Sequence, residues 1–216
     1  MRLTTLLYQI RLKRDGVGEA WRGHAPSKPL RPNASDYPNG VAIPTGLAFQ
    51  TRDGRVYTLR RVTPADVGLL GEFVCRLSEQ TRWLRFMTGR PCSPEFVGAE
   101  VARMVAGATG DSITLIVTEA RGGSGAVVAV AELACDRASG TGEVGLVVMD
   151  DAQRKGIGSL LLRQLLQIAQ ELGLTHLHGD MFAENYAMRR LIQALRLHYT
   201  ATIQAGEMHI IVRVPQ

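Results

Sequence analysis

The sequence predicts a mixed α/β fold, one sheet with helices on both of its faces, and three observations lead there. Short β-branched runs alternate with longer segments whose apolar residues recur at helical spacing. Three of the strand patterns follow one another directly, separated only by turn-forming stretches, as in a meander. The third runs into a glycine-bearing loop and then a long helix. At 216 residues and 45% hydrophobic, the chain can bury one such core with room for an appendage.

Residues 1–50 read as an N-terminal arm and connector. Met1 to Lys13 alternates apolar and basic residues, and Leu3, Leu6, Leu7 and Ile10 would line one face of a short helix. Pro26, Pro29, Pro32, Pro38 and Pro44 then work against regular structure from Ala25 to Pro44. The apolar stretch, broken by Gln9 and Arg11, is too short for a signal peptide. Such an arm would pack on its own domain or on a neighbouring subunit, so a homodimer is one expected assembly. The core domain is expected over 55–214. Thr63 and Pro64 suit the N-cap and first turn of a helix reaching Leu77. Ser93 caps a second helix through Phe96, Val97, Val101 and Met104. Ile113 to Glu119, Ala126 to Cys135 and Glu143 to Met149 are the meander strands, with turns over 122–125 and 136–142. Leu161, Leu165, Ile168 and Leu172 mark the long helix. A strand, a helix and two closing strands complete the order.

Between the Glu143 strand and that helix stand Gln153, Arg154, Lys155, Gly156, Ile157, Gly158 and Ser159. The two glycines remove side chains where the chain turns, so backbone N–H groups can point into one concavity. The new helix adds its unpaired amides and positive dipole end, and Arg154 and Lys155 add charge. A pyrophosphate fits such a cradle. A nucleotide-triphosphate loop would need Lys and Ser/Thr after the second glycine, where Ser159 and Leu160 stand. A dinucleotide fingerprint would need glycine or alanine at 161, which is leucine.

The segment instead resembles the Gln/Arg-x-x-Gly-x-Gly/Ala signature of the GNAT superfamily of acyl-CoA-dependent N-acyltransferases. Leu59 to Asp66 is similar to that family's first strand and helix start, and Gly179 to Leu191 to its later strand, loop and helix. Leu197-His198-Tyr199 stands where the family's Leu-Gly-Phe is usual. Leu77-Ser78-Glu79-Gln80-Thr81-Arg82-Trp83-Leu84-Arg85-Phe86 resembles a segment of bacterial protein lysine acetyltransferases. The resemblance implies a GNAT-type, largely antiparallel central sheet with a splayed strand pair that takes the acyl-CoA. Leu146, Val147 and Val148 would hold the pantetheine arm, residues 153 to 159 the pyrophosphate, and Asn185 would contact coenzyme A beside its helix-capping role. Acetyl-CoA is the implied cosubstrate, with no metal.

Acyl transfer to a lysine needs a neutral amine, and at a pKa of ~10.4 that amine is almost wholly charged in neutral water. A carboxylate at the site can take the proton. Glu143, at the start of the implied pantetheine strand, is the expected general base, with Glu132 on the neighbouring strand as its rival. The family's frequent general acid, a tyrosine, falls at Ile192, and neither Tyr186 nor Tyr199 is in register with it. His176, His178 and Asp180 alternate on one strand but give no third metal ligand beyond a pair of histidines, so a structural role is expected for them. Cys135 has no histidine placed to activate it, and Arg82 and Arg85 are expected to pack or pair with the acceptor-side helices. Cys75, Cys92 and Cys135 are dispersed, which suits reduced thiols and the cytoplasm. The net charge of +5, without a ladder of aromatics, argues against nucleic acid, and no run is long and apolar enough to span a bilayer. The expected activity is transfer of acetyl from acetyl-CoA to an amine, most plausibly a protein lysine. A small-amine acetyltransferase and a non-catalytic acyl-CoA sensor are the alternatives. Glu143 beside Gly156 and Gly158 favours an enzyme, because a sensor has no need of the base.

Overall fold

The computed structural model describes residues 45–108, 112–121 and 124–215, so the arm over 1–44 lies outside the described residues. Among the described residues five helices pack against a single sheet of eight strands. In chain order these are β1 (Thr45–Gln50), β2 (Val56–Arg61), β3 (Ser112–Arg121), β4 (Ser124–Asp136), β5 (Thr141–Val148), β6 (His176–Phe182), β7 (Tyr199–Gln204) and β8 (Glu207–Arg213). Five helices accompany them: α1 (Val67–Arg76), α2 (Glu79–Phe86), α3 (Pro94–Ala106), α4 (Ile157–Glu171) and α5 (Tyr186–Ala194). The spatial order is β1-β2-β3-β4-β5-β6-β8-β7. Every neighbouring pair is antiparallel except β5 and β6, which are joined through α4.

Alternation along β5 divides the helices between the two faces. Gly145 points at Arg85 of α2, whereas Leu146 and Val148 approach Gly158 of α4. Consecutive strand residues face opposite ways, so α2 and α4 cover opposite sides. Leu191 of α5 also approaches Gly158 and therefore shares the α4 side. The core between the layers is aliphatic: Leu115, Ala129, Ala131 and Leu133 of the sheet are fully buried, as are Leu161 and Leu165 of α4 and Leu70 and Phe73 of α1. Leu161, Leu165, Ile168 and Ala169 are all buried, which is the stripe expected from their helical spacing.

Several local expectations change in detail. β1 lies inside the stretch assigned to the arm. Leu47, Ala48, Phe49 and Gln50 pair with Leu59, Thr58, Tyr57 and Val56, and Phe49 stacks on Tyr57 at 5.7 Å. The sheet therefore already includes Thr45–Gln50, ahead of residue 55, because β2 offers an edge that this short run can complete. The first helix opens with a 3₁₀ turn over Pro64–Asp66, and the Thr63 hydroxyl donates to Asp66 Oδ2 at 2.8 Å. Asp66 is buried in a two-pronged bond with Arg60 that holds its carboxyl down to about 2. Ser93 does accept the amide of Phe96, at 3.3 Å, as an N-cap should. α2 occupies a segment to which sequence reading gave a resemblance but no element, and Ser78 caps it. After α5 the left-handed residue is Arg196, with φ of 50°, and His198, where the family usually has glycine, does not take that conformation. Cys75 and Cys92, far apart in sequence, bring their free thiols to 3.6 Å. Among the described residues no helix is long and apolar enough to cross a membrane.

Candidate active site

Parallel pairing between β5 and β6 is confined to Thr141–His176, Gly142–Leu177 and Glu143–His178. β5 runs on to Val148 and β6 to Phe182, so the two strands part just after Glu143. β4 keeps the other edge of β5 paired as far as Val148. Among the described residues no strand pairs the β6-side edge of β5 from Leu146 to Val148, where the Gln153 side chain takes the Val148 carbonyl, so this edge faces a wedge-shaped opening in the sheet. Unpaired strand edges take extended guests through main-chain hydrogen bonds, and an amide-bearing pantetheine arm is such a guest.

The loop that follows has the backbone form expected of a phosphate cradle. A 3₁₀ turn over Asp150–Ala152 leads to Gln153, then Arg154 turns left-handed at φ of 62°. Gly156 caps α4 at φ of 90°, a conformation that glycine adopts without steric cost, and a β-carbon there would meet nothing within 4 Å. The space above Gly156 is thus open to a ligand. The first amide to donate within the helix is Leu160, onto the Gly156 carbonyl at 3.0 Å. The amides of Ile157, Gly158 and Ser159 precede it at the positive end of a fifteen-residue helix, and these are the donors that a phosphate takes. The loop, the open edge and the helix end fit the pyrophosphate and pantetheine of acetyl-CoA.

Two side chains of the loop, those of Gln153 and Lys155, are already engaged. Gln153 donates to the Val148 carbonyl at 3.1 Å and so fastens the loop to the end of β5. Lys155 Nζ lies 2.8 Å from Asp53 in the β1–β2 turn. Lys155 and then Thr51 hold the Asp53 carboxyl at about 2, and Asp53 in turn raises Lys155. The start of the loop is fixed by Asp150, which sequence reading did not single out. The hydroxyls of Ser78 and Thr81 donate to Asp150 Oδ1, both at 2.7 Å, and the Ser78 amide donates to Oδ2 at 3.1 Å. Burial works against the Asp150 charge, but these hydrogen bonds outweigh it and the carboxyl stays below its usual range. The Leu-Ser-x-x-Thr portion of the Leu77–Phe86 segment is thus a clamp on the loop that leads into α4. Its signal in the sequence was a pair of hydroxyls three residues apart, which alone names no partner. Asn185 caps α5, its Oδ1 accepting the Met188 amide at 3.1 Å, and it is buried.

On the face covered by α2, the two candidate bases separate. Glu132 is buried and held by Arg85 of α2 and by Arg103 of α3, the latter at 2.6 Å. Gly145 makes room for this, because a β-carbon there would lie 2.3 Å from the Arg85 guanidinium. Burial disfavours the Arg103 charge, yet Glu132 and Glu100 together raise its pKa. Glu132 is consumed as a bolt between sheet and helices. Glu143 is exposed, level with His178 at the last rung before the strands part. Two residues along β6 on the same face is Asp180, whose Oδ1 lies 2.5 Å from Nδ1 of the fully buried His209. Next on that face comes Phe182, stacked against Trp83 of α2 with ring centroids 4.6 Å apart. Ile192, at the expected tyrosine position, is 5% exposed in the core. Tyr186 is 63% exposed beside Arg189, and Tyr199 opens β7. Arg82 donates to the Leu77 carbonyl at 2.6 Å, His176 lies 2.9 Å from Thr175 Oγ1, and Cys135 packs against the core.

Known proteins resemble this chain in sequence and in fold. Residues 57–198 match a family described as an acetyltransferase (GNAT) domain. The chain is 31% identical over 156 residues to Acetyltransferase Pat of Mycolicibacterium smegmatis, covering 72% of this chain and 45% of that protein. Its fold is similar to the GNAT domain of S. lividans PAT, with a TM-score of 0.64 and 20% identity over 78% of this chain and 96% of the other. It is also similar to a cAMP-binding acyltransferase from Mycobacterium smegmatis, with a TM-score of 0.52 and 26% identity over 80% of this chain and 48% of the other. The chain spans about half the length of the last protein and of the curated relative.

Proposed function

The chain belongs to the GNAT acetyltransferase family and is an acyl-CoA-dependent N-acetyltransferase, and from that premise we propose that it acetylates a protein lysine, with Glu143 as general base. The observation that carries this reading is the position of Glu143 at the mouth of the opening between β5 and β6, exposed and on the face of α1 to α3. Its rival Glu132 is tied to two arginines, so a proton taken there would break a buried network. When bound, acetyl-CoA supplies an activated thioester carbonyl. The amides at the start of α4 would hold its pyrophosphate, and the open edge of β5 would align its pantetheine arm with the opening. The acceptor approaches from the α2 face, and Glu143 takes the ammonium proton, directly or through a water, to free the attacking nitrogen. Ile192 is an apolar core residue, so the leaving thiolate would take its proton from another source, for which solvent is available at the exposed end of the opening. A lysine acceptor is supported by the resemblance of the Leu77–Phe86 segment to protein lysine acetyltransferases and by the aromatic pair Trp83–Phe182, which offers a wall for a long aliphatic chain.

Mass spectrometry of candidate proteins and of spermidine, each incubated with acetyl-CoA and the purified enzyme, tests the acceptor. Glu143→Gln should lower turnover roughly 10²-fold or more while leaving acetyl-CoA affinity intact. That deficit should narrow as pH rises and neutral amine becomes available. Wild-type turnover in Glu143→Gln at neutral pH would take the proton from Glu143, and acetylation of spermidine alone would move the acceptor to small amines.

A further inference from the structure

We propose that Asp180, oriented by His209, is the second carboxylate of the acceptor pocket and holds the acceptor's ammonium group beside Glu143. The inference rests on the acetyltransferase reading and adds a specificity-determining pair to it. Its basis is placement. Glu143 is level with His178 across the last parallel rung, and Asp180 follows two residues later, where β6 has parted from β5. Both carboxylates therefore lie on one face of the sheet and flank the opening from its two sides. Asp180 stands opposite His209 in the antiparallel β6–β8 ladder, and their side chains meet at 2.5 Å.

The groups that face Asp180 are Glu143 from β5, Glu207 and His209 from β8, and His178 from its own strand. Burial first, then the charges of Glu143 and Glu207, push the Asp180 carboxyl up to about 6. Burial pushes both imidazoles towards their neutral forms, His209 down to about 4. At neutral pH Asp180 is thus a carboxylate and His209 an uncharged ring. A carboxylate only accepts hydrogen bonds, so Nδ1 of His209 carries the proton and donates it to Asp180. A fully buried ring fixes the rotamer of the carboxylate without neutralising its charge. Crowding carboxylates among neutral imidazoles is unfavourable for the empty pocket, and a bound cation relieves it. Trp83 and Phe182, next along the same face, would flank the methylene chain that carries that cation. In this arrangement the proton passes to Glu143, and Asp180 stays charged throughout.

The test compares Asp180→Asn, Asp180→Glu, His209→Leu and His209→Asn with two acceptors, a lysine-bearing peptide and spermidine. Asp180→Asn should raise the acceptor KM about tenfold or more, the usual loss for a charge-assisted hydrogen bond, while the acetyl-CoA KM stays within about twofold. Asp180→Glu should recover part of that loss. His209→Leu should behave like Asp180→Asn, and His209→Asn, which keeps a donor near the Nδ1 position, should recover part of it. A second readout needs no acetylation: n-butylammonium titrated into the CoA complex should shift the His209 ring resonances, and Asp180→Asn should weaken that binding by a similar factor. If wild-type enzyme acetylates neither acceptor, the proposed function fails and the titration alone decides this inference. An unchanged acceptor KM in Asp180→Asn, a fall in kcat alone, or n-butylammonium binding that is absent or indifferent to Asp180→Asn would each overturn it.

Discussion

Gly156 shows how much one position can carry. Its φ of 90° costs a β-carbon-bearing residue about 1 kcal/mol or more, and a β-carbon there would meet nothing within 4 Å, the room that the proposed phosphate site needs. Gly156→Glu should therefore abolish acetyl-CoA binding in calorimetry by filling and charging the cradle, while far-ultraviolet circular dichroism stays native. Gly158→Glu should also abolish binding, there by pushing a charged side chain against Leu191, which a β-carbon would already touch at 3.4 Å. Undiminished affinity in both variants would remove the cradle from the cofactor site. The Asp180–His209 pair makes a prediction about pH. In the folded protein Asp180 titrates near 6 and His209 near 4, whereas their unperturbed values are 3.8 and 6.5. Between pH 4 and 6 the folded pair holds one proton between its two members and the unfolded chain holds one on the histidine. The proton counts match, so the pair contributes no slope of stability with pH there. Taken singly, the raised carboxyl contributes stability that is lost as pH rises through 6, and the depressed imidazole contributes stability that is lost as pH falls from 6.5 towards 4. Asp180→Asn leaves only the second effect. Its urea midpoint, relative to wild type, should fall progressively from pH 6.5 to pH 4.5, and a parallel pH dependence in the two proteins would contradict these assignments.

At the scale of elements, polar bolts hold the site-bearing pieces together. Glu132 fastens α2 and α3 to β4, and Asp150 fastens α2 to the phosphate loop. Removing one partner of a buried pair strands the other charge, so Glu132→Ala should destabilise the domain by about 3 kcal/mol in urea denaturation. Arg103→Ala, at a side chain 46% exposed, should cost about 1 kcal/mol or less. Equal losses would mean that Glu132 is not the centre of the network. These bolts explain which elements were legible in advance. α4 announced itself through its stripe, and Ser93 capped α3 as its position before a proline suggested. β1 did not, since Leu47 and Phe49 are a weak signal without the edge of β2 to pair with. α2 is short and polar, and its place is set by the Ser78–Asp150 and Arg85–Glu132 contacts rather than by its own periodicity.

For the whole molecule the question is where the folding unit begins. β1 covers the edge of the sheet, and Phe49 stacks on Tyr57, which is 1% exposed beneath it. A chain starting at Thr45 should fold and bind acetyl-CoA, whereas one starting at Arg55 loses β1 and Asp53 together. Uncovering Tyr57 and the stack should cost about 2–4 kcal/mol, a drop of roughly 10 °C in Tm between the two truncations. Identical melting curves would return the boundary to residue 55. What the sequence by itself determined is the order of most elements, the glycine loop between β5 and α4, and Glu143 at the head of that strand. Each rests on spacing within a few residues, where hydrophobic period and backbone conformation act directly. Only the tertiary structure decided that Glu132 is spent on Arg85 and Arg103, that Lys155 answers to Asp53, and that Asp180 leans on His209. Those partners are brought together across strands and helices far apart in the chain, and the charge, burial and freedom of a side chain depend on neighbours that no local pattern specifies.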